Sequence, residues 1–208
     1  SDVTRVFPRH GQFSPTQRAL YDVVLAAQQA AIGAVRIGTR FRDVHRRASR
    51  VLVEGLRALG ILRGEVDGLL ERHAAAAFFP HGIGHLLGLD VHDMEAFGDL
   101  AGYPRDRQRS SLPAERFLRL DRDLEAGMVV TIEPGFYRIP ELVAEARRVL
   151  GGDLDEDELS RFDDVRGIRI EDDVWCRAEG PEVLTSTIPS AATDVERWFA
   201  TCRLEPPP

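Results

Sequence analysis

The spacing of apolar residues changes once along this chain, and the change limits the folds open to it. Up to about Leu59 apolar side chains recur at helical intervals; from Ala76 onward they come in short, β-rich or alternating runs bounded by Gly, Pro or Asp. The first helix is announced by Ser14-Pro15-Thr16-Gln17. Ser14 is an N-cap, Pro15 suits the first helical position, and Gln17 completes a capping box. The spacing predicts a helix to about Ile32, with Leu20, Val23, Val24, Ala27 and Ala31 inward. A second helix is expected over 41–59, burying Val44, Ala48, Val51, Leu52 and Leu56, showing arginines to solvent and ending at Gly60. A shorter one is expected over 64–73. Strands are expected over 76–80, 128–133 and 167–174, with the end of another over 3–8. Helices first and strands afterwards predict an α+β fold with an antiparallel sheet.

The chain has 208 residues, enough for one domain with a substantial core. Its net charge of -7 disfavours nucleic acid or an anionic membrane as partner, since either needs a basic face. No apolar run approaches the roughly 18 residues of a membrane span. Two cysteines, Cys176 and Cys202, are too few for a disulfide framework and point to a reducing, cytoplasmic setting. Residues 151–164 are strongly acidic and read as a solvated insertion with one helical turn, part of a longer insertion over about 138–166. The tail over about 203–208 has a disordered composition.

Chemistry concentrates in four segments: Ser1-Asp2-Val3-Thr4-Arg5, His81-Gly82-Ile83-Gly84-His85, Thr131-Ile132-Glu133-Pro134-Gly135 and Ile168-Arg169-Ile170-Glu171-Asp172. Each sets a carboxylate or imidazole against a short apolar run. Gly82 and Gly84 argue against a helix carrying His81 and His85, and for an extended passage running close to another backbone. His92, Asp90 and Asp93 follow closely. His10, His45 and His73 lie in a loop or on charged helix faces and carry a structural interpretation. Glu133 ends an apolar run before a forced turn, where a carboxylate needs an arginine or a metal as counter-charge. A two-residue period places Arg169, Glu171 and Asp173 on one face of a strand, with Ile168 and Ile170 on the other. The plain alternative there is an Arg169–Glu171 ion pair on a solvated face. Asp2, His85, Glu133 and Glu171 together form an oxygen-rich ligand set with one imidazole, suited to hard or borderline divalent ions such as manganese.

These segments, in this order, resemble the C-terminal catalytic domain of the proline-specific metallopeptidases, the aminopeptidase P and prolidase group. The similarity runs from Ser1 to about Trp198. It implies the pita-bread (creatinase/aminopeptidase-like) fold, a curved antiparallel sheet covered by helices, with residues 1–208 forming most of one catalytic domain. It also implies two divalent metal ions, manganese first, zinc or cobalt as alternatives, and hydrolysis of Xaa-Pro bonds by a metal-bridged hydroxide. By resemblance the metal ligands are Asp2, His85, Glu133 and Glu171. The catalytic groups are His81, His92, Glu133 and Arg169, and the substrate-binding groups Arg119, His92 and Tyr137.

The family's first metal aspartate has no counterpart here. The expectation is therefore a piece of a longer enzyme, whose missing N-terminal portion supplies that ligand. The long stretch between Tyr137 and Gly167, and Arg119 at the position of a substrate-carboxylate arginine, lean toward a dipeptidase acting on Xaa-Pro dipeptides or short proline peptides. An aminopeptidase P acting on longer peptides is the alternative, a non-catalytic binding module a remoter one, and methionine aminopeptidase fits the flanking residues less well. A homodimer is expected by family analogy alone.

Overall fold

The computed structural model describes residues 1–202; the expected disordered tail lies outside them. In chain order the helices are α1 (Pro15–Ala34), α2 (Phe41–Ala58), α3 (Val66–Glu71), α4 (Asp99–Gly102), α5 (Pro140–Leu150), α6 (Glu156–Ser160) and α7 (Ala192–Cys202). The strands are β1 (Val129–Ile132), β2 (Gly135–Tyr137), β3 (Gly167–Arg169), β4 (Asp172–Arg177) and β5 (Gly180–Val183). They form two antiparallel sheets, β1-β4-β5 and β2-β3. The α+β expectation holds. No helix among the described residues is long and apolar enough to cross a membrane.

The first helix begins as its sequence dictates. Ser14 Oγ accepts from the Gln17 N–H, and the Gln17 side chain accepts from the Ser14 N–H, closing the capping box. Its buried face is Leu20, Tyr21, Val24, Ala27, Gln28 and Ala31, with Val23 only half-buried. On this face each fully buried leucine or valine contributes about 1.5–3 kcal/mol. The helix packs on α2 and on strands of both sheets. Gly55 makes the α1–α2 approach close, since a Cβ there would sit 2.5 Å from Val23 Cγ1. Gly60, at φ 78°, follows the second helix in a conformation that favours glycine.

Five local expectations need correction. Residues 3–8 form no strand; Thr4 alone pairs, in an isolated bridge with Glu171. Residues 76–80 are not extended: Ala74–Ala77 is a 3-10 turn, entered through His73 in a left-handed conformation (φ 57°). Alanine has little β preference, and packing against α2, α3 and α5 decides the outcome. The helix expected over 64–73 is confined to Val66–Glu71. The run 167–174 is two strands, because the chain leaves the β2-β3 sheet after Arg169 and enters the β1-β4-β5 sheet at Asp172. Finally, residues 138–166 are more than a solvated insertion. They carry α5 and α6 and bury Leu150, Leu154, Leu159, Phe162 and Val165 in the core, while Asp153 and Asp155 pair with Arg72 and Arg63.

Candidate metal centre

The site grows from β1. The glycine-rich segment lies antiparallel to it: Leu87 N–H donates to Val129 O (2.9 Å), Thr131 N–H to His85 O (3.0 Å) and Glu133 N–H to Ile83 O (2.8 Å). Thr131 Oγ1 also accepts from the His85 N–H at 3.1 Å. Gly84 permits this contact, because a Cβ there would lie 1.9 Å from the Thr131 carbonyl oxygen. The expected close backbone passage is thus β1 itself. Pairing of β1 with β4 brings in the last segment, with Ile132 opposite Asp172. The Thr4–Glu171 bridge adds the first.

The four predicted metal residues gather around the buried His85. His85 Nε2 lies 3.4 Å from Asp2 Oδ2 and 3.8 Å from Glu133 Oε1. Ligand atoms of His85, Glu133 and Glu171 lie within 4.8 Å of one another, as do those of Asp2, His85 and His92. Glu171 is held by Thr4, whose hydroxyl donates to Glu171 Oε2 at 2.6 Å. Arg169 Nε and Nη2 donate to that hydroxyl oxygen at 3.1 and 3.0 Å. The same guanidinium stands 3.6 Å from Glu133 and 3.8 Å from Glu171. The ion pair envisaged as a plain alternative therefore exists, but against a buried Glu171 rather than on a solvated face.

The tautomer of His85 follows from its neighbours. Its Nδ1 is 2.9 Å from the Leu86 carbonyl oxygen, which can only accept, so Nδ1 carries the proton and Nε2 a lone pair. Nε2 is buried and has no hydrogen-bond partner among the described residues. A buried lone pair facing carboxylates is costly without a cation between them. The electrostatics of the cluster point the same way. Burial, and then the charge of Glu171, push the Glu133 carboxyl up to about 7. Burial raises Glu171, against the Thr4 hydrogen bond, and raises Asp173. Burial lowers His85. One neutral imidazole and several carboxylates fit divalent cations, which would remove the mutual repulsion.

The remaining predicted residues form the outer wall. His81 Nδ1 donates to the Gly82 carbonyl (2.8 Å), leaving Nε2 to accept from the Tyr137 hydroxyl (2.9 Å). His81, Tyr137, Glu133, Arg169 and Arg119 line a common cavity of about 600 Å³. His92 stands with its ring centroid 4.3 Å from that of His85. The sequence left the supporting roles of Thr4, Thr131 and Glu95, which lies beside His92, unidentified, and it placed Asp173, which accepts from the Asp2 N–H at 3.1 Å, only on the face shared with Glu171. These roles depend on partners distant in sequence or on loop geometry.

Residues 1–178 match the sequence model of metallopeptidase family M24. The chain belongs to that family. It is 41% identical over 204 residues to the Xaa-Pro dipeptidase of Homo sapiens, a match covering 97% of this chain and 40% of that protein. It is 40% identical to a probable Xaa-Pro aminopeptidase of Talaromyces marneffei, covering 94% of this chain and 41% of that one. Among solved structures, aminopeptidase PepP of Pseudomonas aeruginosa superposes with a TM-score of 0.72 at 35% identity, covering 99% of this chain and 39% of that one. Zinc-substituted Escherichia coli aminopeptidase P in complex with product gives 0.72 at 35%, covering 97% and 38%. The fold is therefore the pita-bread fold of the M24 enzymes, a family that uses divalent metals. The chain spans about 40% of the length of these relatives.

Proposed function

We propose that this M24 chain supplies most of the catalytic centre of a manganese-dependent Xaa-Pro dipeptidase. The observation that carries the proposal is the buried His85 Nε2, without a hydrogen-bond partner among the described residues and facing the carboxylates of Asp2 and Glu133. Asp2, His85, Glu133 and Glu171 would hold a pair of divalent ions, with one further carboxylate from a part of the protein that lies outside this chain. Bound there, the ions would lower the pKa of water and polarise the scissile carbonyl.

The residues of the chain perform the rest. Proline at the leaving position has no N–H and a fixed φ, so the site must recognise the bond without a backbone donor from it. His81, its Nε2 held by the Tyr137 hydroxyl, lines the cavity where the proline ring would lie. Glu133, whose carboxyl sits at about 7 without a cation, is placed to accept a proton from water and pass it to the proline nitrogen. His92 stabilises the developing oxyanion. Arg169 steadies Glu133 and Glu171 through its position between them. Arg119 receives the free carboxylate of a dipeptide, for which a guanidinium fork is well shaped. Two free cysteines agree with a cytoplasmic location, and a homodimer is the assembly proposed by family analogy.

The second candidate is an aminopeptidase P, favoured by the 40% identity to the Talaromyces marneffei protein. The deciding experiment is manganese-dependent hydrolysis by the intact protein of an Xaa-Pro dipeptide against an Xaa-Pro-Yaa tripeptide. A higher kcat/KM for the dipeptide is expected. Preference for the tripeptide would assign the aminopeptidase activity, and no hydrolysis of either would favour a binding module.

A further inference from the structure

Arg119 stands between two cavities. On one side it lines the cavity of about 600 Å³ that also contains His81, Glu133 and Tyr137. On the other it lines a smaller cavity of about 170 Å³ with Glu95, Asp93 and Arg109. Glu95 belongs to the second cavity and not to the first. Its Oε2 meets two groups of the outer wall: it accepts from Arg119 Nη1 at 3.0 Å and lies 2.7 Å from His92 Nδ1. Arg119 Nη1 also lies 3.0 and 3.1 Å from the two ring nitrogens of His92, so the guanidinium rests against the imidazole. All the hydrogen bonds formed by this guanidinium among the described residues use Nη1. Its Nε and Nη2 are left as an unused pair of parallel donors, the arrangement that a carboxylate binds in a bidentate manner.

We propose that Glu95 is a positioning residue for substrate selection. It pins one end of the Arg119 guanidinium from behind, so that the free edge is held ready for the C-terminal carboxylate of the substrate. The proposal rests on the assignment of Arg119 as the carboxylate clamp and extends it to the residue that sets the clamp's orientation. A lone arginine side chain of this exposure would sample many rotamers, and ordering it on binding would weaken recognition. Arg119, His92 and Glu95 are each close to 45% exposed, so their order depends on one another rather than on surrounding packing. Because Glu95 also touches His92, its loss alters catalysis of every substrate somewhat. Selection is therefore read as a ratio.

The test compares glycylproline with glycylprolinamide, which lacks the carboxylate, using the intact, manganese-loaded protein. For each variant the quantity is kcat/KM for the acid divided by kcat/KM for the amide. Arg119→Ala is expected to lower this ratio by roughly tenfold or more, the usual scale for a charge-assisted hydrogen bond. Glu95→Ala is expected to lower it by about three- to tenfold, through KM for the acid. Glu95→Gln keeps an acceptor oxygen and should retain most of the ratio. The double variant should match Arg119→Ala alone, since Glu95 acts through Arg119. An unchanged ratio in Glu95→Ala beside a collapsed one in Arg119→Ala would overturn the role of Glu95 and leave the clamp standing. An unchanged ratio in Arg119→Ala would remove the clamp and this proposal with it. Equal losses on acid and amide in Glu95→Ala would show that Glu95 acts on His92 or on the loop alone, and would also overturn it.

Discussion

The inner and outer walls of the site are built on different principles. His85, Glu133 and Glu171 stand on backbone that is hydrogen-bonded to neighbouring segments, and each is buried or nearly so. His92 and Arg119 come from irregular segments and Glu95 opens a short 3-10 turn; all three are about half-exposed and hold one another. The first wall has its geometry fixed before any ligand arrives, at the expense of crowding carboxylates. The second gives up burial for access from solution. Damage to the inner wall should therefore appear in stability and metal affinity, and damage to the outer wall in kinetics.

The largest effect expected is from Gly84→Ala. The new Cβ would meet the Thr131 carbonyl at 1.9 Å, so the pairing with β1 must open. A loss on the order of 3–5 kcal/mol in denaturant unfolding is expected, and a loss below about 1 kcal/mol would show that the segment is not pinned there. Next comes Glu133→Gln in metal-free protein. Burial and the charge of Glu171 push this carboxyl up to about 7 from an ordinary 4.5, so the folded state holds the extra proton between those values. The stability contributed by Glu133 accordingly falls as pH rises through that window. Glu133→Gln should be the more stable form by on the order of 2 kcal/mol at pH 8, with the gain shrinking through the window and vanishing below about pH 4. Saturating manganese should reverse the order. A gain independent of pH in paired thermal melts would contradict the assignment of the shift to this carboxyl.

Smaller effects separate the walls further. Thr4→Val removes the hydroxyl between Arg169 and Glu171, and should weaken manganese binding in calorimetry roughly tenfold, as loss of an outer hydrogen-bonding partner does. Unaltered affinity would make Thr4 a backbone bridge to Glu171 only. At the far end, His92→Ala should change folding stability by no more than about 0.5 kcal/mol while lowering kcat. A large fall in melting temperature would place His92 with the inner wall.

Legibility in the sequence divides along similar lines. The capping box at Ser14 and Gln17 was readable because both halves lie within one turn. Glu133 was readable because a carboxylate after Val129-Val130-Thr131-Ile132 is conspicuous at once. The alternation that set Arg169 and Glu171 together also holds, since both reach Thr4. The change of sheet between Arg169 and Asp172 was not readable, because a two-residue period is the same whichever partner a strand has. The density of acids over 151–164 concealed Leu154, Leu159 and Phe162, whose burial depends on the rest of the core. Glu95 had no local mark at all; its importance rests on Arg119, 24 positions along the chain.

Adjacent Glu171 and Asp172 look in opposite directions. Glu171 turns to Thr4 and Arg169, whereas Asp172 turns to Arg5 (2.7 Å), Gln28 (2.5 Å) and Thr185 (2.6 Å) in the core beneath. The two orientations are set together, because adjacent residues of an extended segment point to opposite sides. A chain that has seated Asp172 beside Arg5, Gln28 and Thr185 has in the same step turned Glu171 toward Thr4, His85 and Glu133.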